Sequence, residues 1–261
     1  MPIPSAYFDQ VTYKCPSLEA VLDRLDETAK VTYSVAWIDC VATGQHLGRS
    51  VLTVGEHAKE GGLRAHGAPK LTLPFELPFP AVTPFTIKAF NALVYAKELK
   101  AVQRKRIHYA PFFYPLDVAT HWNRLYGRDG FTQYQFVLPT AAGRQGLRTV
   151  LMRIAASGMG SPLAVLKVAG HANANPLSFP LAGYTLALDF KIQPGLFALL
   201  DELDALVLGL GGRLYLAKDA RMSAATFKQS YPRWQEFQAV RAKVGAIGRF
   251  ASLQSKRLGL D

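Results

Sequence analysis

Polar and apolar residues alternate along 6–14 as they do in a strand, and further strands are predicted at 31–40, 48–54 and 105–113. Between the first two, Ser17 is placed to cap a helix whose apolar positions Leu18, Val21, Leu22, Leu25 and Ala29 follow 3–4 spacing. A second helix is predicted near 84–98, after a loop rich in Gly and Pro from Glu56 to Pro80 that is long enough to be a functional or mobile insertion. The same order then repeats. A strand at 131–138 precedes a helix marked by Leu147, Val150, Leu151 and Ile154 that stops at Gly158. Strands follow at 162–169 and 184–191. Pro194 opens a helix carrying Leu196, Leu199, Leu200, Leu203 and Val207, and a strand at 213–218 closes the repeat.

Both halves therefore read β-α-β-β-α-β, the split βαβ order of ferredoxin-like units. The expected fold class is α+β: a duplicated ferredoxin-like domain with a mostly antiparallel sheet, its helices gathered on one face, and the other face free to cover something. Residues 220–261 read as a basic helical segment, capped by Ser223 and broken at Tyr231-Pro232. Its Phe227, Trp234, Phe237, Val240, Val244, Ile247 and Phe250 are too much apolar surface for a free tail, so it is expected to pack on something.

The sharpest local pattern is Phe131-Thr-Gln-Tyr-Gln-Phe-Val-Leu-Pro139. Thr132, Tyr134, Phe136 and Leu138 point one way; Phe131, Gln133, Gln135 and Val137 point the other. Two amides thus stand on one face, each able to donate and accept, which suits hydroxyls, sugars or the pyrimidine edge of a flavin. A strand with an ordinary solvated face has the same pattern. Two cations sit on predicted strands: Lys167 interrupts Leu163-Ala-Val-Leu-Lys-Val168, where a charge needs a partner or an opening to water, and Lys218 alternates with Tyr215 and Ala217 at the end of 213–218.

Other chemistries can be set aside. The six histidines and two cysteines, Cys15 and Cys40, show no zinc-ligand spacing and no disulfide framework, so no metal site is expected. Gly158-Met-Gly-Ser161 is not a nucleophile elbow. The glycines at 209, 211 and 212 follow a helix and precede a strand, the reverse of a phosphate-cradling loop.

Of 261 residues 49% are hydrophobic and 19% charged, which allows one large or two small domains and excludes a disordered chain. The net charge of +11 is a statement about partners. Lys97, Lys100, Arg104, Lys105 and Arg106 are its densest cluster, either a solvated helix end and strand start or a surface for an anionic substrate or acidic membrane. No recognition-helix or aromatic-interleaved pattern accompanies it, which argues against nucleic acid. Met1-Pro-Ile-Pro lacks the features of a signal peptide, and Leu196 to Leu210 is interrupted by Asp201, Glu202 and Asp204. A cytoplasmic location, with possible peripheral contact to the membrane, is the expectation.

Phe112-Phe-Tyr-Pro-Leu-Asp117, Trp122-Asn-Arg-Leu-Tyr-Gly127 and the 131–139 strand together resemble the substrate-domain signature of FAD-linked oxidases of the vanillyl-alcohol oxidase type, closest to the decaprenylphosphoryl-ribose 2'-oxidase branch. Matching blocks run in order from Ser5-Ala-Tyr-Phe through Tyr33-Ser-Val-Ala-Trp-Ile-Asp39, Leu47-Gly-Arg-Ser50, Asn175-Pro-Leu-Ser-Phe-Pro180 and Gly212-Arg-Leu-Tyr-Leu-Ala-Lys-Asp219 to Phe250-Ala-Ser252. The resemblance implies an oxidoreductase with FAD as cofactor, acting on a sugar or polyprenyl-phosphate sugar by hydride transfer to the flavin. Lys218 matches a lysine that contacts the flavin and is needed for oxidation, where a fixed cation stabilises charge near N1 and the C2 carbonyl. Tyr215 matches a tyrosine beside the cofactor. Gln133 and Gln135 would orient sugar and flavin edge, Lys167 falls at a substrate-side lysine, and Trp37 would form an apolar wall. Thr185, Ala187 and Phe113 stand where the mycobacterial branch has asparagine, cysteine and tyrosine, so the pocket differs in shape and hydrogen bonding. No catalytic base is evident among the matched residues.

The resemblance further implies a substrate-binding domain at 1–212 and a segment, 213–261, that in the family packs with an FAD-binding domain preceding this stretch. That domain or subunit would be the missing partner, FAD would not be held by this chain alone, and oligomers would be favoured. Residues 219–261 would then be mobile, repacked or docked on a neighbour. An aldonolactone or alditol oxidase, and a non-catalytic domain binding anionic glycolipid or a partner chain, are the alternative readings.

Overall fold

The computed structural model describes residues 3–69, 71–75 and 81–261. Eight strands join into one sheet in the order β10-β7-β9-β8-β2-β3-β1-β5, in which every adjacent pair runs antiparallel. The chain builds β1 (Tyr7–Cys15), α1 (Leu18–Glu27), β2 (Tyr33–Ile38), β3 (Ser50–His57), β4 (Leu71–Thr72), α2 (Pro84–Lys97), β5 (Val102–His108), α3 (Tyr109–Phe113) and β6 (Ala119–Thr120). It continues with β7 (Phe131–Pro139), α4 (Thr140–Ser157), β8 (Ala164–Ala169), β9 (Gly183–Lys191), α5 (Leu196–Gly209), β10 (Arg213–Leu214), α6 (Ala224–Ser230), α7 (Trp234–Lys243) and α8 (Leu253–Arg257). β4 and β6 form a separate parallel pair. The class is α+β with a large antiparallel sheet.

Local chemistry explains the boundaries. The Ser17 side chain accepts from Ala20 N–H to cap α1, and Ser223 accepts from Thr226 N–H at 3.1 Å to cap α6. α4 ends at Gly158, whose φ of +70° is a left-handed conformation that glycine adopts without a Cβ penalty. Tyr231-Pro232 separates α6 from α7. Part of the Glu56–Pro80 loop, residues 70 and 76–80, lies outside the described residues, and β3 extends to His57 before it begins.

The core lies between the sheet and α1, α4 and α5. Val21, Leu22 and Leu25 of α1, Val150, Leu151 and Ile154 of α4, and Leu199, Leu203 and Val207 of α5 pack on Ala36, Leu52, Phe136, Leu166, Leu186 and Leu188 of the strands. Full burial of each such side chain contributes about 1.5–3 kcal/mol. Residues 219–261 pack on this same core: Met222, Phe227, Tyr231, Leu258 and Leu260 are buried in it, with Trp234 and Phe237 against its rim. Arg213–Leu214 pairs with Phe136 and Val137 of β7.

Four expectations are corrected. The helices do not all lie on one face. Phe90 and Val94 of α2 line a groove with Val35, Trp37, Val51 and Thr53, and Phe112 and Phe113 of α3 pack on Phe8 and Tyr33, all on the face away from the core. Periodicity shows that α2 has an apolar stripe but not which side of the sheet that stripe will meet. The predicted strand at 105–113 is β5 followed by a short helix. Pro111 falls in its first turn, where a missing N–H needs no partner, and His108 Nδ1 accepts from Ala110 N–H. α5 opens after Gly195 at φ +83°, two residues beyond Pro194. The strand at 213–218 stops after Leu214: Tyr215 N–H still donates to Gln135 O at 2.9 Å, then Lys218 N–H donates to Tyr215 O and closes a 3-10 turn. β10 is an edge strand with a partner on one side, so little resists that turn.

Candidate active site

On the sheet face opposite the core, β7 presents Gln133 and Gln135, half-buried, while Thr132, Tyr134 and Phe136 of the same strand are buried towards the helices. Register places Gln135, Ala187, Val165 and Trp37 in one row across β7, β9, β8 and β2. That row spans three interstrand spacings, roughly 14 Å. Thr185 and Lys167 pair in the next row on one side, and Gln133 pairs with Asp189 on the other. Eight residues from four strands therefore share one face.

They fall into two groups. In the first, the 3-10 turn after Tyr215 carries Lys218 back over β7, and its Nζ donates to Gln133 Oε1 at 2.5 Å. Gln133 Nε2 donates to Asp189 Oδ1 at 2.8 Å. An ionised carboxylate only accepts and an ammonium only donates, so these two neighbours dictate which end of the Gln133 amide is which. Beside them Gln135 Nε2 donates to Thr185 Oγ1 at 3.1 Å, and the Thr185 hydroxyl donates to Phe136 O at 2.8 Å. The Tyr215 ring lies 4.3 Å from that of Phe179.

Asp189 was not singled out from the sequence. It is 3% exposed, and its Oδ2 has no hydrogen-bond partner. Burial raises its pKa above the ordinary carboxylate value, opposed by the Gln133 hydrogen bond and the nearby Lys218 charge. Tyr126, whose phenol is pushed up mainly by burial and further by the Asp189 charge, stands close to it. The signal was present in 184–191, where Thr185, Ala187 and Asp189 alternate onto one face. The pairing that sets the carboxylate opposite Gln133 joins residues 56 apart.

The second group lines a groove. Lys167, exposed at the end of β8, shares a cavity of about 540 Å³ with Tyr33, Phe112, Phe113, Leu116 and Val165. Trp37 lines the adjoining cavity of about 380 Å³ under α2, with its Nε1 donating to Pro162 O at 3.2 Å. Val35, Phe112, Leu116 and Val165 belong to both, so the two make one apolar trough with a lysine at its end. The structure thus brings Lys167 and Phe113 together in the trough and Gln133, Gln135, Tyr215 and Lys218 together beside it, and the two groups meet where Thr185, which accepts from Gln135, pairs with Lys167. Among the described residues no group of His, Cys, Asp or Glu could hold a metal ion.

No protein-family model matches the chain. The fold is that of the FAD-linked oxidases: the chain superposes on chitooligosaccharide oxidase over 93% of its own length and 53% of that protein's, with a TM-score of 0.51 at 11% identity. In sequence it is 38% identical over 258 residues to decaprenylphosphoryl-β-D-ribose oxidase of Mycolicibacterium smegmatis, covering 92% of this chain and 56% of the relative. It is also 30% identical over 262 residues to an uncharacterized Streptomyces coelicolor protein encoded in the mprA 5' region, covering 71% of that protein. The chain belongs to the decaprenylphosphoryl-ribose oxidase family of FAD-linked oxidases, and it spans about half the length of the mycobacterial member.

Proposed function

We propose that this chain provides the substrate-binding face of an FAD-dependent oxidoreductase acting on a lipid-linked phosphosugar. The observation that carries the reading is the file Asp189–Gln133–Lys218, a cation held by an oriented amide on the open face of a sheet whose family members are flavoproteins. Those groups fit the pyrimidine edge of a flavin ring. They do not extend to its diphosphate: Gly143 and Gly146, the glycines that follow β7, are packed closely against Tyr184 and against Leu138 and Leu210. Bound flavin supplies the hydride acceptor. Lys218 opposes charge developing on its ring, and Gln133 and Gln135 hold ring and sugar hydroxyls in place. Lys167 pairs with the substrate phosphate, and the trough of Tyr33, Phe113, Leu116 and Trp37 takes the apolar chain. The mycobacterial relative is named for a substrate of that class.

The same reading takes the sheet as two fused ferredoxin-like units. The support is the repeated element order and the equivalent strand orders β5-β1-β3-β2 and β10-β7-β9-β8, joined by β2 to β8. α2, which lies on the opposite face from its counterpart α5, breaks the equivalence.

The test is turnover of the flavin-loaded enzyme on polyprenyl-phosphate pentose, free sugars and alditols. Lys218→Ala is expected to lower turnover by about two to three decades, the loss of about 2.7–4 kcal/mol of charge stabilisation, with the unfolding transition unchanged. Wild-type turnover in that variant, or preference for a free sugar or alditol, would overturn the assignment.

A further inference from the structure

We propose that the outward side of α2, with the turn that follows it, docks on an anionic lipid bilayer. Ile87, Asn91 and Val94 form the stripe that α2 turns towards the body of the protein. On its opposite side Phe85, Ala89, Leu93 and Ala96 recur at helical spacing, and Leu99 continues the stripe past the last turn. Phe85 is 79% exposed, Leu93 70% and Leu99 88%. A surface helix ordinarily turns polar residues to water; this one is apolar on both sides.

Charge identifies what covers it. Lys88 and Lys97 flank the outward stripe on its two sides, with stems long enough to carry their ammonium groups past the apolar side chains. Lys100 follows, and Lys105 projects from β5 on the α2 side of the sheet, paired with Gln10. Among the described residues none of these four cations is in an ion pair. The only acidic residue between Ala81 and His108 is Glu98, whose carboxylate accepts from Gln103 at 3.0 Å. An apolar stripe with lysines along both edges matches a bilayer interface, where apolar side chains enter the acyl boundary and cations meet the headgroups. Nucleic acid would meet that stripe first, and its phosphates would find no cation along it. No helix among the described residues is long and apolar enough to cross a membrane, so the contact is a surface one. It stands independently of the oxidase reading.

Flotation of the full chain with vesicles tests it, using phosphatidylcholine alone and phosphatidylcholine mixed with phosphatidylglycerol. Binding is expected to the mixed vesicles. Phe85→Ser with Leu93→Ser should weaken it about tenfold at any salt concentration, in proportion to the apolar area withdrawn. Lys88→Gln with Lys100→Gln should weaken it about fivefold per lysine at low salt and little at high salt. All four side chains are exposed, so an unchanged thermal transition is expected and shows that the variants are folded. Absence of wild-type binding to anionic vesicles overturns the proposal, as does undiminished binding of the serine variant, which would mean adhesion by charge alone. A lipid-free dimer that the serine variant dissociates also overturns it, because the face would then lie between two copies of this chain.

Discussion

Asp189 shows how a single side chain connects stability and function in this protein. Its Oδ1 accepts from Gln133 while Oδ2 has no partner, an arrangement that costs about 1–3 kcal/mol for a buried polar atom. Because burial raises its pKa in the folded state, its contribution to stability is present below the unfolded value of about 4 and is lost as pH rises through the folded value. Asp189→Asn is therefore expected to be more stable than wild type by about 1 kcal/mol at neutral pH, with the difference vanishing in acid. Denaturant titrations across pH check this. In the same variant the Gln133 amide is oriented by Lys218 alone, against an asparagine amide at position 189 that can itself turn either way, so the flavin-loaded enzyme should lose turnover as it gains stability. A variant that is both less stable and fully active would refute this account of the carboxylate. The thiols behave oppositely to reactive ones: burial pushes Cys15 up to about 11 and Cys40 up to about 12. Neither should react with a thiol reagent in the native protein at mildly alkaline pH, and both should react once it is unfolded.

At the scale of elements, α2 is attached to the far face of the sheet by polar groups as well as by its apolar stripe. Asn91 Nδ2 donates to Asp39 Oδ1 at 2.9 Å, and Arg49 pairs with Asp39 Oδ2 at 2.8 Å while lying over Tyr95 of α2. Asp39 and Asn91 are both buried. Asp39→Ala removes the acceptor from both donors, and a loss of about 3 kcal/mol is expected by chemical denaturation, with amide exchange accelerated in α2 before the rest of the sheet. The β7–β9 pairing that carries both glutamines depends on Gly183. It sits at φ +154°, and a Cβ there would come 2.0 Å from Leu138 O. Gly183→Ala should destabilise the protein measurably and disturb Gln133 and Gln135 through their strand, whereas Gly170→Ala, with open space around it, should not.

Across the whole molecule, an eight-stranded open sheet has two edges to protect. β10 is two residues long and is closed off by the C-terminal segment: Leu214 N–H donates to Ser230 Oγ, and Tyr231 Oη donates to Leu214 O at 2.6 Å. β5 is longer and carries Arg104 and Lys105 exposed, while Arg106 pairs with Asp9 on β1 at 2.7 Å. Charges on an edge strand oppose pairing with another chain. Arg104→Val with Lys105→Val should leave the unfolding midpoint nearly unchanged and raise light scattering at high concentration. This gives the basic cluster a structural role on β5 beside the docking role of Lys88, Lys97 and Lys100.

Most element types, their order and the side of β7 from which the glutamines project were legible in the amino-acid sequence, because alternation and 3–4 spacing are local consequences of backbone geometry; α3 and the 3-10 turn at Leu216–Lys218 were not. That Gln133 and Gln135 share one face of β7 follows from the same alternation. Tertiary structure alone decided which face α2 would cover, where the 213–218 strand would turn, and that Lys218 would reach Gln133. It also set Asp189 opposite that glutamine and seated residues 219–261 on the chain's own core. Each of those outcomes depends on contacts between residues far apart in sequence, and a periodic pattern records that a side chain is buried without recording against what.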